Sequence, residues 1–170
     1  MKIKLWTIQH EKAYHKFIQT GIWRADPSHS IFDEEFRDAY DWLASQMDMR
    51  IGSRPEGVKY PMWAWYQWEG ERKRCDLRCG GYAKRGTQMV QVAFEIDDSQ
   101  VVLSDFDGWH FVLSNSYLAV DEQDFNRFYE KLESGGFTHC DIINFEKKDA
   151  LLEKCRNKIR MSWDRIFDLD

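Results

Sequence analysis

The stretch Leu103-Ser104-Asp105-Phe106-Asp107-Gly108-Trp109-His110 decides how the fold is read, because it places two carboxylates, an imidazole and an indole within six residues. Asp-Gly between alternating apolar residues is a hairpin signal, since a two-residue type I′ turn needs positive φ at both central positions. A turn centred on Asp107-Gly108 pairs Phe106 with Trp109, Asp105 with His110, Ser104 with Phe111 and Leu103 with Val112. Val102, Ser104, Phe106, Trp109, Phe111 and Leu113 then share the core face. The opposite face sets Asp105 against His110, where a carboxylate can orient an imidazole and raise its pKa for general acid–base work. The same two residues read equally as a surface cross-strand pair. Asp105 and His110 are therefore the catalytic candidates of a hairpin.

Working outward, Lys2 to Gln9 reads as a first strand, with Ile3, Leu5 and Thr7 on one face and Trp6 and Ile8 on the other. Glu11 to Thr20 carries Tyr14, Phe17 and Ile18 at helical spacing and stops at Gly21, which can take the left-handed conformation. Asp26-Pro27-Ser28 marks a loop, after which Asp33 can cap a helix with the stripe Phe36, Tyr40, Leu43 and Met47. Continuing that stripe reaches Arg50, which suits an anionic ligand or, more plainly, a helix C-terminus.

Tyr60 to Trp68 is rich in β-formers, with Trp63 and Trp65 on one face, and Gln88 to Ile96 alternates as a further strand. Trp65 could stack a base or nicotinamide ring, or simply fill core. Glu122 to Glu133 and Lys148 to Arg165 read as helices, and Gly80-Gly81 as a break. With the hairpin, these elements predict an α+β fold in one domain, residues 1–170. About five strands form a mixed or antiparallel sheet, flanked by four helices.

A chain of 170 residues suffices for one domain with a real core, and eight Trp among 43% hydrophobic residues exclude disorder by composition for its bulk. The net charge of −5 makes general nucleic-acid binding unexpected, although the basic run from Arg72 to Arg78 leaves room for a local nucleotide contact. No apolar run is long enough to span a bilayer, and the opening MKIKLWTIQH lacks the apolar centre of a signal peptide. The expectation is a cytoplasmic protein with no membrane partner, its four cysteines held as thiols.

Cys75-x3-Cys79 with His139-Cys140 lacks the paired short spacings of structural zinc sites, so no metal is expected. No G-x-S-x-G, P-loop, dinucleotide-binding glycine fingerprint or H-E-x-x-H occurs. Arg78, in the dense patch Arg74-Cys75-Asp76-Leu77-Arg78, offers a planar fork for phosphate or carboxylate, and is also consistent with a solvated loop.

Leu5-Trp6-Thr7-Ile8-Gln9, Ala39-Tyr40-Asp41-Trp42, Trp63-Ala64-Trp65, Asp76-Leu77-Arg78, Leu103 to His110 and Ser162-Trp163 together resemble an uncharacterised bacterial family, domain of unknown function 3841. That resemblance implies a compact bacterial or phage protein and brings no assigned activity. The opening strand with Trp6 and Gln9, followed by Phe17-Ile18-Gln19-Thr20-Gly21-Ile22, is also similar to the start of ADP-ribosyltransferase-like domains. This second resemblance implies NAD as a possible cofactor, with Gln9 as the first-strand polar residue and Trp65 or Tyr66 as the aromatic. Two classes of function follow. One is a nucleotide-using, ADP-ribosyltransferase-like enzyme in which Gln9, Arg50, Trp65 and Arg78 hold the ligand while Asp105 or His110 handles a proton. The other is a non-enzymatic module that binds a protein partner or a small ligand.

Overall fold

The computed structural model describes residues 1–25, 36–78, 81 and 83–169. The expected Asp33 cap, the Asp26-Pro27-Ser28 loop, Cys79 and Gly80 lie outside them. The chain divides into two compact units, one of residues 1–32 and 41–102, the other of residues 33–40 and 103–170.

In the first unit, β1 (Lys2–His10) pairs antiparallel with β2 (Met89–Asp97), from Lys2 opposite Asp97 to His10 opposite Met89. Leu5, Trp6 and Thr7 are consecutive and all buried, so the middle of β1 is covered on both faces. Its second edge is met by Trp65, whose N–H donates to Trp6 O at 2.6 Å while Trp6 N–H donates to Trp65 O at 3.1 Å. His10 caps α1 (Glu11–Thr20) by accepting from Lys12 N–H, and the helix ends at Gly21 with φ of 67°, a conformation that favours glycine. α2 (Arg37–Ile51) starts in the second unit and enters the first after Tyr40.

The second unit is helical: α3 (Phe106–Leu113), α4 (Glu122–Ser134), α5 (His139–Ile143), α6 (Ala150–Ser162) and a 3₁₀ turn over Trp163–Phe167. Its core includes Trp109, Val112, Tyr117, Phe128, Leu132, Ile142, Leu152, Ile159, Trp163 and Ile166. Tyr117 stacks on Phe128 at 4.3 Å, and the Trp163 indole N–H donates to Ser116 O at 2.9 Å. Arg156, itself buried, donates to the carbonyls of Ile142, Lys147, Asp141 and Asn144 and to Glu153 Oε1, so α5 is fastened to α6 through one guanidinium. Nothing in the sequence pattern marks that arginine.

The α+β class is right, but the expected sheet of about five strands is not what forms. Among the described residues there are six α-helices and one two-stranded antiparallel sheet. The three missing strands, one over Tyr60 to Trp68 and two in the hairpin, have identifiable causes. Tyr60 to Trp68 meets β1 only through the Trp6–Trp65 bridge and then folds back on itself at Trp68 and Glu71. The expected hairpin is replaced by α3 (Phe106–Leu113). Asp105 is its N-cap, accepting from Gly108 N–H at 2.5 Å, an alternative to the turn that the Asp107-Gly108 reading overlooks.

Gly108 supplies no positive φ here. A Cβ at that position would stand 3.1 Å from Ile166 Cγ2 and 3.1 Å from Asp105 Oδ1, so glycine lets α3 lie close against the 3₁₀ turn. Burial follows the helical period, with Trp109 and Val112 inside and Phe106 and Phe111 exposed. The hairpin register would have placed Phe106, Trp109 and Phe111 on the same side.

Candidate ligand-binding site on the first strand

Of the six expected site residues, Gln9, Arg50, Trp65 and Arg78 belong to the first unit, and Asp105 and His110 to the second. β1 gathers two of them. Thr7, fully buried, donates its hydroxyl to Trp63 O at 2.8 Å and accepts from Gln9 Nε2 at 2.7 Å. Gln9 is thus tied through Thr7 to the Trp63–Trp65 segment, which the bridge to Trp6 holds in place.

Trp63, Trp65, Tyr66 and Trp68 are all half-buried, and the indole nitrogens of Trp63 and Trp68 are themselves buried. Trp65 and Trp68 meet edge to face at 5.1 Å. The Arg72 guanidinium lies 3.7 Å from the centre of Tyr66 and 5.5 Å from that of Trp6, a cation–π position that also lets it donate to Lys4 O and Tyr66 O. Lys4 adds a second cation 5.8 Å from the Trp6 ring. The result is an aromatic ledge with positive charge fixed on it. The sequence offered Trp65 and Gln9. It hid Arg72 and Thr7, because nothing in the spacing says that Arg72 folds back onto β1.

Arg78 does form a bidentate fork, but on Asp76, with Nε at 2.9 Å from Oδ1 and Nη2 at 2.6 Å from Oδ2. That bond, with help from the Arg78 backbone N–H, holds the Asp76 carboxyl down at about 2. A phosphate seeking that same Nε–Nη2 edge has to displace Asp76. Arg50 is exposed in the last turn of α2, and it is Arg54 that clasps Asp48, by Nε and Nη2.

In the second unit, Asp105 is occupied as the cap of α3, and His110 Nδ1 lies 3.0 Å from Phe106 O one turn earlier. The cross-strand carboxylate–imidazole bond expected of the hairpin does not form, because the helix sets the two residues more than a turn apart and about 140° from each other around its axis.

Among the described residues, no three His, Cys, Asp or Glu side chains are grouped to hold a metal ion, and no helix is long and apolar enough to cross a membrane. Cys75 is buried, and burial pushes its thiol up to about 11; burial also raises Cys155. Both are poor nucleophiles.

Residues 4–170 match a family model described as Domain of unknown function (DUF3841). No curated protein and no solved structure matches the chain.

Proposed function

We propose, of a chain that belongs to the DUF3841 family, that it is a ligand-binding module whose β1 ledge takes a planar, anionic ligand of the nucleotide class, NAD and ADP-ribose included. The observation that carries this reading is the row of half-buried rings at Trp63, Trp65, Tyr66 and Trp68 with the Arg72 guanidinium fixed over Tyr66. A base gains roughly 1–3 kcal/mol from each aromatic face on which it stacks. Arg72 and Lys4 supply the charge that an apolar core cluster would not carry. Gln9, tethered through Thr7, is placed to donate or accept at the strand's end.

Binding is the part of the transferase resemblance that the geometry supports. Its chemistry calls for a group to move a proton, and both candidates have other work: Asp105 caps α3, and His110 bonds the helix carbonyl behind it.

The test is tryptophan fluorescence and thermal melting of the purified chain with NAD, ADP-ribose, ATP and a short single-stranded RNA. A saturable quench with a melting temperature that climbs with concentration is expected for at least one of them, because a ligand selective for the folded state stabilises it by mass action. Trp65→Ala should abolish both signals. No response of the unaltered chain to any of the four overturns the reading.

A further inference from the structure

We propose that the groove between α4 and α6 docks an acidic peptide segment of a partner protein, which inserts one aliphatic side chain and sets its carboxylates against Lys131, Lys154 and Lys158. The groove is a concavity of about 60 Å³ lined by Phe128 and Lys131 of α4 and by Leu151, Lys154, Cys155 and Lys158 of α6. The four α6 positions follow i, i+3, i+4 and i+7, and the two α4 positions i and i+3, so each helix offers one continuous face. A single water needs roughly 10–15 Å³ of such space, so the groove has room for a small aliphatic side chain. Its floor is carbon and thiol, with Phe128 and Cys155 buried.

The rim is charged and uncompensated. Among the described residues Lys131 and Lys154 make no ion pair, in a chain whose net charge is −5. Glu153, the carboxylate next to Lys154 in sequence, is taken by Arg156 at 2.6 Å. Lys158 is held over the Tyr117 and Phe128 rings at 4.8 and 5.5 Å, which fixes its ammonium at the rim. Asp124 interacts electrostatically with Lys158, but its carboxylate is already bonded by the Tyr117 hydroxyl and Val120 N–H.

An apolar floor ringed by three cations suits carboxylates flanking a hydrophobic residue. A free phosphate leaves the floor unused. A nucleic acid strand, whose charge lies on its phosphates, likewise gives the apolar floor no aliphatic side chain to take up. The proposal stands apart from the nucleotide ledge, which involves none of these residues.

The experiment is fluorescence anisotropy of a labelled synthetic peptide, leucine flanked on each side by two aspartates, titrated with the full chain. Saturable binding that weakens with added salt is expected. A peptide with serine in place of leucine should bind at least tenfold more weakly, and the charge reversal Lys131→Glu with Lys154→Glu should remove binding. Both lysines are exposed, so the melting temperature should hold. If that double variant melts early, Lys154→Ala is read instead, with at least a threefold loss expected. Absence of binding, equal binding of the serine peptide, undiminished binding by the variants, or displacement by millimolar inorganic phosphate each overturns the proposal.

Discussion

Trp163 and Trp65 put the same side chain to opposite uses. Trp163, in the helical unit, is 1% exposed and hydrogen-bonded through its indole, surrounded by other nearly inaccessible side chains such as Tyr117, Ile159 and Ile166. Trp65, in the unit built on β1, is fixed through its backbone and keeps its ring half-exposed. Among the described residues, the large side chains that are below 2% exposed lie in the helical unit, apart from Thr7 and Cys75. The first unit buries Trp6 and Tyr60 but holds Trp63, Trp65, Tyr66 and Trp68 only half-buried, through strand pairing and cation–π contacts.

The largest effect that sharpens this contrast is Trp163→Ala. It removes a fully packed indole and its bond to Ser116 O, and should cost about 3–5 kcal/mol. Trp65→Ala leaves both backbone bonds of the bridge in place and should cost about 1–2 kcal/mol, in line with a partly buried side chain. Denaturant unfolding of both variants measures the difference. Equal losses would mean that Trp65 is core, and the ledge would lose its physical basis.

How far the sequence could be read follows the same division. Helices with strong periodic stripes and explicit stops were legible: α1 ends at Gly21 where expected, α4 runs over Glu122–Ser134, and β1 and β2 lie within a residue or so of their expected positions. The failures come where one short motif satisfies two local rules. Asp105-Phe106-Asp107-Gly108 fits both a type I′ turn and an N-cap reaching its third helical residue, and only Ile166, sixty residues on, decides which by requiring a close glycine contact. Tyr60 to Trp68 has strand composition, yet a strand needs a partner edge over several residues, and the chain supplies one bridge. For the site, residue type pointed to Gln9 and Trp65. Arg72, Thr7 and the Lys131–Lys154–Lys158 rim depend on which faces the fold brings together.

A smaller effect checks that Asp105 serves structure. Asp105→Ala should destabilise by about 1 kcal/mol, the usual value of an N-cap, while Asp105→Asn, an equally good cap, should cost a few tenths. Thermal melting separates the two. A full loss in the asparagine variant would show that the negative charge at the helix N-terminus, and not only the cap bond, carries the stability.

The smallest expected effect compares one carboxylate from each unit. Asp141 and Asp76 both sit at about 2, below the ordinary 3.8, each held first by a cationic side chain and second by a backbone N–H, but with partners of different exposure. Asp141 is held by Lys147 and by the Thr138 N–H and hydroxyl in the capping box of α5. Asp76 is held by the fork of Arg78, whose side chain is 91% exposed. A folded pKa below the unfolded one means the unfolded chain takes up protons first. The stability each group contributes is therefore complete above about pH 4 and is lost as pH falls toward about 2. Salt screens a fully exposed ion pair more than a partly buried one, and the Lys147–Asp141 pair is the less exposed of the two. Melting temperatures from pH 5 to pH 2 should fall less steeply in both Asp141→Asn and Asp76→Asn. In 0.5 M salt both differences should shrink, the Asp76 difference more than the Asp141 difference. Identical salt responses would show that the fork of Arg78 is as shielded as the capping box, and the ledge unit would then be more tightly built around Asp76 than its exposure indicates.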